Sequence, residues 1–296
     1  MSSPVAPTKK PAMFDVNRLV NVEAWRAFSP NLHIGDPALF KDVATIQTSP
    51  EQNGAISQLL NREGYIQASG AEWGLDLGLM AATIRGLTAA NLSPVFAFLY
   101  DEFWLPFVKL HPIYTALLGD YMMLPDFWAW NVDPAQGDSG WRPHRDKGHS
   151  ALLPDGSPKS LTTWMALSSS TPLNGCMYLV PANFDPTYGT PEDKEWKFEY
   201  SSVRALPATP GDFFIWNQAV LHWGGKTTPR APETRVSIAF EFQRADVEPM
   251  NQPLIKPLSI LSFDTRLRLV AKQILQYRHM YKLDPQIEQL ALALVA

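Results

Sequence analysis

Residues 141–150 read WRPHRDKGHS, so His144 and Asp146 stand two apart. In an extended segment, residues i and i+2 point to the same face, and an imidazole and a carboxylate there can reach one metal ion. A second imidazole, His222, lies 78 residues after His144, behind the strand-like run FFIW in GDFFIWNQAVLHWGG. Two His and one carboxylate on one face of an ion, with open positions opposite, suit non-haem iron(II) oxygen chemistry. An HxD alone is common on protein surfaces, and a lone His after a strand is more often a hydrogen-bonded core residue. The weight lies in the combination. Arg235 and Ser237 open the next strand-like run as RVS. On one face, the guanidinium can fork onto a carboxylate and the hydroxyl can add a further bond.

These residues need a scaffold, and the sequence outlines one. Up to about residue 125 the pattern is helical. Ile56, Leu59 and Leu60 fall at i, i+3, i+4 before Gly64 stops the run, and residues 65–68 (YIQA) then read as a strand. Residues 77–92 and 95–118 read as helices, the second broken at Pro106 and Pro112. Between about 126 and 245 the runs at 127–132, 160–167, 177–180, 213–216 and 235–242 are short, aromatic and β-branched, with turn formers between them. That texture predicts a β-sandwich or barrel. From about 258 to 296 a helical pattern returns, at 263–281 and 285–295. The expected architecture is mainly β with flanking helices, as a single domain over residues 13–296, and residues 1–12 read as a disordered tail.

Composition narrows the function classes. The 296 residues are 46% hydrophobic and 18% charged, which excludes a disordered chain. A net charge of −4 lacks the basic footprint of a nucleic-acid binder. No apolar stretch approaches the ~20 residues that span a bilayer. The one cysteine, Cys176, excludes an intrachain disulfide framework or a Cys-based metal cluster. With no secretory pattern in residues 1–12, the expected location is the cytoplasm.

The combination of HRD at 144–146, LTTWMALSSSTPLNGCMYLVP at 161–181, GDFFIWNQAVLHWGG at 211–225 and RVS at 235–237 resembles the phytanoyl-CoA dioxygenase family. The resemblance covers about residues 50–245. It implies a double-stranded β-helix (jelly-roll, cupin-like) core and an enzyme that uses Fe(II), 2-oxoglutarate and O2. His144, Asp146 and His222 would be the iron ligands; Arg235, with Ser237 assisting, would bind the distal carboxylate of 2-oxoglutarate, and Trp164 would line its pocket. Two departures stand out. Arg235 lies 13 residues after His222, further than usual in the family, which leaves Arg230 as a rival among prolines. Gly224 stands where a small hydroxyl residue is often found. Family halogenases carry a small residue at the Asp146 position, so the carboxylate here implies hydroxylation as the default, with succinate and CO2 released, and desaturation, epoxidation or ring rearrangement open to the same iron site.

Other residues near the motif carry weaker readings. Arg145 should point away from the metal and reads as a surface ion pair; His149 reads as structural. Seven of the ten tryptophans fall between residues 128 and 223, most as core filling. Asn131, Trp141 and Trp223, nearest the expected ligands, are candidates to touch a small organic or natural-product-type substrate. No basic patch near the motifs suggests a CoA thioester. Two other readings compete. A cupin-type isomerase or epimerase usually employs three or four His and lacks the late Arg-x-Ser. A catalytically silent binding protein typically has lost a ligand.

Overall fold

Period-two alternation along one long strand organises the molecule. In the computed structural model, which describes residues 16–41, 43–281 and 283–296, strand β8 (Arg235–Arg244) sends Val236, Ile238, Phe240 and Phe242 to one face, each wholly buried. Fully burying an aliphatic or aromatic side chain of this size is worth about 1.5–3 kcal/mol. Arg235, Ser237, Ala239 and Glu241 take the opposite face, as alternation requires. The residues read as a disordered tail, 1–12, lie outside the described residues.

The other strands are β1 (Tyr65–Ala68), β2 (Tyr121–Val132), β3 (Ser160–Ala166), β4 (Met177–Leu179), β5 (Arg204–Leu206), β6 (Phe213–Asn217) and β7 (His222–Gly224). All pairings are antiparallel and form two sheets, one ordered β1-β6-β3-β8-β2 and one ordered β5-β4-β7. Trp164, Phe214 and Ala239 from the large sheet share a buried cluster with Met177, Leu179 and Leu206 from the small one. Two sheets closing over a common core make a double-stranded β-helix.

Helices cover the outer face of the large sheet. They are α1 (Val22–Phe28), α2 (Pro37–Lys41), α3 (Pro50–Glu63), α4 (Leu77–Ala89), α5 (Leu105–Lys109), α6 (His111–Leu118), α7 (Phe263–Gln276) and α8 (Pro285–Val295). Helix α3 shows why its ends fall where they do. Ser49 caps it with a reciprocal box to Gln52, Pro50 starts it, and Gly64 ends it at φ 80°. The stretch read as a broken helix over 95–118 is two short 3-10 segments, Pro94–Leu99 and Asp101–Phe103, followed by α5 and α6. Pro106 and Pro112 sit in the first turns of α5 and α6, so each proline starts a helix as well as ending the one before. Among the described residues, no helix is long and apolar enough to cross a membrane.

Candidate metal centre

The HxD segment is pinned to β7 by backbone pairing. His144 and His222 exchange both N–H···O bonds at 3.0 Å, and Gly224 donates to the Trp141 carbonyl at 3.0 Å. The strand-end imidazoles therefore meet, with ring centroids 4.4 Å apart. His144 Nε2 stands 3.4 Å and His222 Nε2 3.5 Å from Asp146 Oδ1. One donor atom from each residue lies within 4.8 Å of the others. Ligands about 2.0–2.2 Å from an ion and at near right angles stand roughly 3 Å apart, so the spacing suits an ion between them.

The atoms not aimed at that point are already occupied. His144 Nδ1 lies 2.6 Å from the Arg142 carbonyl and His222 Nδ1 3.1 Å from the Val220 carbonyl. Each contact fits a donated Nδ1–H that turns Nε2 inward, the tautomer a metal requires. Asp146 Oδ2 accepts from Thr162 Oγ1 at 2.7 Å and from Trp216 Nε1 at 3.0 Å, which leaves Oδ1 facing the imidazoles. Burial pushes the Asp146 carboxyl up, but His222, His144 and Thr162 together hold it well below the usual carboxylate range. Burial pushes the His222 imidazole down to about 4, against the pull of Asp146. Burial pushes the His144 imidazole down, but Asp146 and the Arg142 carbonyl outweigh it and hold it above its ordinary value. One carboxylate and two imidazoles presenting Nε2 form a donor set that fits a divalent ion, whose binding would displace that proton.

A small inner chamber of about 50 Å³ adjoins the triad and is lined by Arg235, Trp164, Met177 and Trp216, among others. Arg235 is 1% exposed, and burial pushes its guanidinium down to about 10. Its Nη1 donates to Ser237 Oγ at 3.0 Å, while Nε has no hydrogen-bond partner among the described residues. Trp164 stacks on Phe214 with centroids 5.1 Å apart, and its Nε1 is likewise buried without a partner. A buried, under-satisfied guanidinium beside an orphan indole N–H is costly unless an anion arrives. The residues present therefore fit a bound carboxylate. Arg230, the rival, is exposed.

Gly224 has a packing reason. A Cβ there would meet Gly140 Cα at 2.5 Å, and a Cβ on Gly140 would approach Arg235 Nη2 to 3.1 Å. Two backbones touch at this point beside the guanidinium, so a hydroxyl residue does not fit.

An outer cleft of about 1240 Å³ opens from the triad and is walled by Trp128, Trp130, Trp141, Tyr277 and Tyr281. Trp141 lines both spaces, and Asn131 lines the cleft with its Oδ1 buried and unpartnered. Trp223 corrects the sequence reading. It lines neither space but stacks on Tyr178 at 5.9 Å, because strand neighbours of His222 face the opposite way. Arg145 is a second correction. Its side chain is 4% exposed and pairs with Asp185 at 2.8 Å, while its nitrogens donate to the Ala219 and Asp193 carbonyls and to Thr187 Oγ1. It points away from the triad, as an extended segment predicts, but the chain over residues 185–193 covers it. His149 binds Asp193 at 2.9 Å, apart from the triad.

Tyr277, Tyr281, Glu241 and Asp126 were not singled out from sequence. Glu241 had a signal: it lies six residues after Arg235 on the same strand, so period two places it on the same face. Tyr277 and Tyr281 follow α7, and only the fold brings that end of the chain over β2.

Residues 101–232 match the family described as phytanoyl-CoA dioxygenase (PhyH). No curated protein matches the chain. Among solved structures, SnoN, a non-heme alpha-ketoglutarate-dependent epimerase from nogalamycin biosynthesis, is 19% identical, with TM-score 0.53 over 73% of this chain and 88% of that one. ThoJ, a non-heme monooxygenase in complex with nickel, is 14% identical, with TM-score 0.54 over 79% and 99%. SnoK, a non-heme alpha-ketoglutarate-dependent carbocyclase, is 16% identical, with TM-score 0.50 over 71% and 97%. At these identities the likeness carries the fold. The segment that matches this family spans all three triad residues on this scaffold, and the chain is an Fe(II)- and 2-oxoglutarate-dependent oxidoreductase with a phytanoyl-CoA dioxygenase-like segment over residues 101–232.

Proposed function

We propose that this oxygenase hydroxylates a small organic, natural-product-type substrate held in the aromatic cleft, with His144, Asp146 and His222 as the iron ligands. One juxtaposition carries the reading: the triad's free donor atoms stand where the inner chamber, with Arg235, meets the outer cleft. Bound iron would supply the activation of O2, coupled to oxidative decarboxylation of 2-oxoglutarate; one oxygen atom ends in succinate and the other in the product.

The chain's own part is binding, orientation and exclusion of water. Thr162 and Trp216 fix which Asp146 oxygen faces the ion. Arg235 and Ser237 take the distal carboxylate of the co-substrate, and Trp164 flanks it. The carboxylate of Asp146 would fill the position that a halide needs, which disfavours halogen transfer. Asn131 and Trp141 contact the substrate from the β2 side of the cleft.

SnoN is an epimerase and SnoK a carbocyclase, so product identity is the discriminating measurement. The expected result is iron-dependent succinate release and a product heavier by one oxygen from 18O2 with chloride present. A halogenated or isomeric product of unchanged oxygen content would overturn hydroxylation. An Asp146→Gly variant hydroxylating at the native rate would remove Asp146 from the ligand set.

A further inference from the structure

The inner end of the cleft has charges that the ligand set does not use. Glu241 borders both the chamber and the cleft, Lys147 lines the cleft, and Asp126 lines the chamber beside them. Asp126, 1% exposed, accepts from Asn251 Nδ2 at 2.7 Å and Gln276 Nε2 at 2.6 Å. Lys147 Nζ stands 3.4 Å from Glu241 Oε2, yet that buried oxygen accepts no hydrogen bond among the described residues. Burial pushes the Glu241 carboxyl up to about 8; Lys147 pulls it down, and Asp126 pushes it further up.

Two carboxyl groups thus share one ammonium, and burial keeps the proton on Glu241 until a second cation comes beside it. The reaction's own charges leave that count unchanged, since a divalent ion and Arg235 together balance Asp146 and a dianionic co-substrate. Further out, Asp138 and Asp284 line the cleft with Arg142 as a basic counterpart. An anionic substrate would meet an excess of carboxyl groups, whereas a cationic one would supply the partner that lets Glu241 ionise.

Aromatic faces stand beside these carboxylates. Trp141 and Tyr277 have ring centroids 4.7 Å apart, Trp128 and Tyr277 5.0 Å, and Trp128 and Tyr281 5.5 Å. An aromatic wall next to an under-compensated carboxylate is the chemistry that recognises an organic ammonium.

We infer that the substrate carries a protonated amine, which lies against the Trp128–Trp141–Tyr277 wall and donates to the Glu241 carboxylate. This rests on the oxygenase reading, which makes the cleft at the triad the substrate site. Glu241 is then a specificity residue.

The test is calorimetric titration of the anaerobic protein loaded with iron(II) and 2-oxoglutarate. Three indole probes of similar size are used: tryptamine, 3-(indol-3-yl)propan-1-ol and indole-3-propionate. Tryptamine should bind about tenfold tighter than the neutral alcohol and the anion. Glu241→Gln should remove that preference, whereas Lys147→Gln, which deletes the competing ammonium, should strengthen tryptamine binding. Opposite shifts from two neighbours would not come from general damage to the site. Equal binding of the three probes, or an undiminished preference in Glu241→Gln, overturns the inference. The titration of 2-oxoglutarate into the iron-loaded native protein separates the two readings. Failure there overturns the oxygenase site itself, while normal co-substrate binding without an amine preference overturns only the amine.

Discussion

Trp216 Nε1 donates to Asp146 Oδ2 at 3.0 Å, so an indole from the core between the sheets decides which carboxylate oxygen faces the two imidazoles. The contact is a support one step behind the expected ligands, and losses there characteristically lower metal affinity by about 10–100-fold. The Trp216 ring packs 4.6 Å from the His222 imidazole, and Trp216→Phe keeps an aromatic ring there while removing the donor and part of the indole's volume. Titration with iron(II) or a redox-silent divalent substitute should show affinity falling within that range. Unchanged affinity would mean that Thr162 alone orients Asp146.

The two arginines near the end of the family segment separate cleanly. Arg235→Ala removes the buried guanidinium of the inner chamber and should weaken 2-oxoglutarate by ~2–5 kcal/mol, some thirtyfold to several thousandfold. Arg230→Ala, on an exposed loop, should leave the co-substrate constant within about twofold. Equilibrium binding of 2-oxoglutarate to both variants checks this. A larger loss from Arg230→Ala would move the co-substrate to the wrong side of the loop for the proposed site.

Gly224→Ala should be poorly tolerated, since its Cβ would lie 2.5 Å from Gly140 Cα, a backbone atom that cannot swing aside. Overpacking of this kind costs about 1–3 kcal/mol. Because Gly140 also abuts Arg235, 2-oxoglutarate affinity should fall along with the melting temperature. Gly54→Ala is the matched control. That residue sits inside α3 with nothing within 4 Å of its added Cβ, and alanine there should stabilise by ~0.5–1 kcal/mol. Calorimetric melting of the two variants should move in opposite directions.

Arg145→Ala breaks a buried pair and strands Asp185, whose side chain is fully buried. Removing one partner of such a pair costs about 3–5 kcal/mol. Urea denaturation should show that loss for Arg145→Ala and a much smaller one for Arg145→Ala with Asp185→Asn, since the second change removes the stranded charge. Equal losses would place the cost in the hydrogen bonds to Ala219 and Asp193 instead of in the ion pair.

The sequence was most readable where physics is local. The helical spacing of Ile56, Leu59 and Leu60, the glycine at 64 and the aromatic strands at 127–132, 160–167, 213–216 and 235–242 are set by residues a few positions apart, and the structure has elements there. Alternation along β8 is local too, and it reaches Glu241 once it is followed past Ser237. Trp223 shows how proximity in sequence misleads on a strand, where the residue next to a ligand faces away from it. Arg145 shows a different limit. Period two gave its direction, but what covers it is contributed by residues 185–193, far along the chain. Tyr277 belongs to the same class: helical periodicity in α7 marks an apolar face without saying which strand that face will meet.

The family segment ends at residue 232, whereas Tyr277 and Tyr281 reach the cleft from the far end of the chain. Part of the substrate-side wall is therefore carried on a stretch of polypeptide separate from the three metal-facing residues. Mutation after α7 begins can remodel what the enzyme accepts while His144, Asp146 and His222 keep their backbone pairing and supports unaltered. Selection for new substrates has an address here, in the last turn of α7 and the loop toward α8, and a library confined to that loop would diversify acceptance without passing through inactive intermediates at the metal centre.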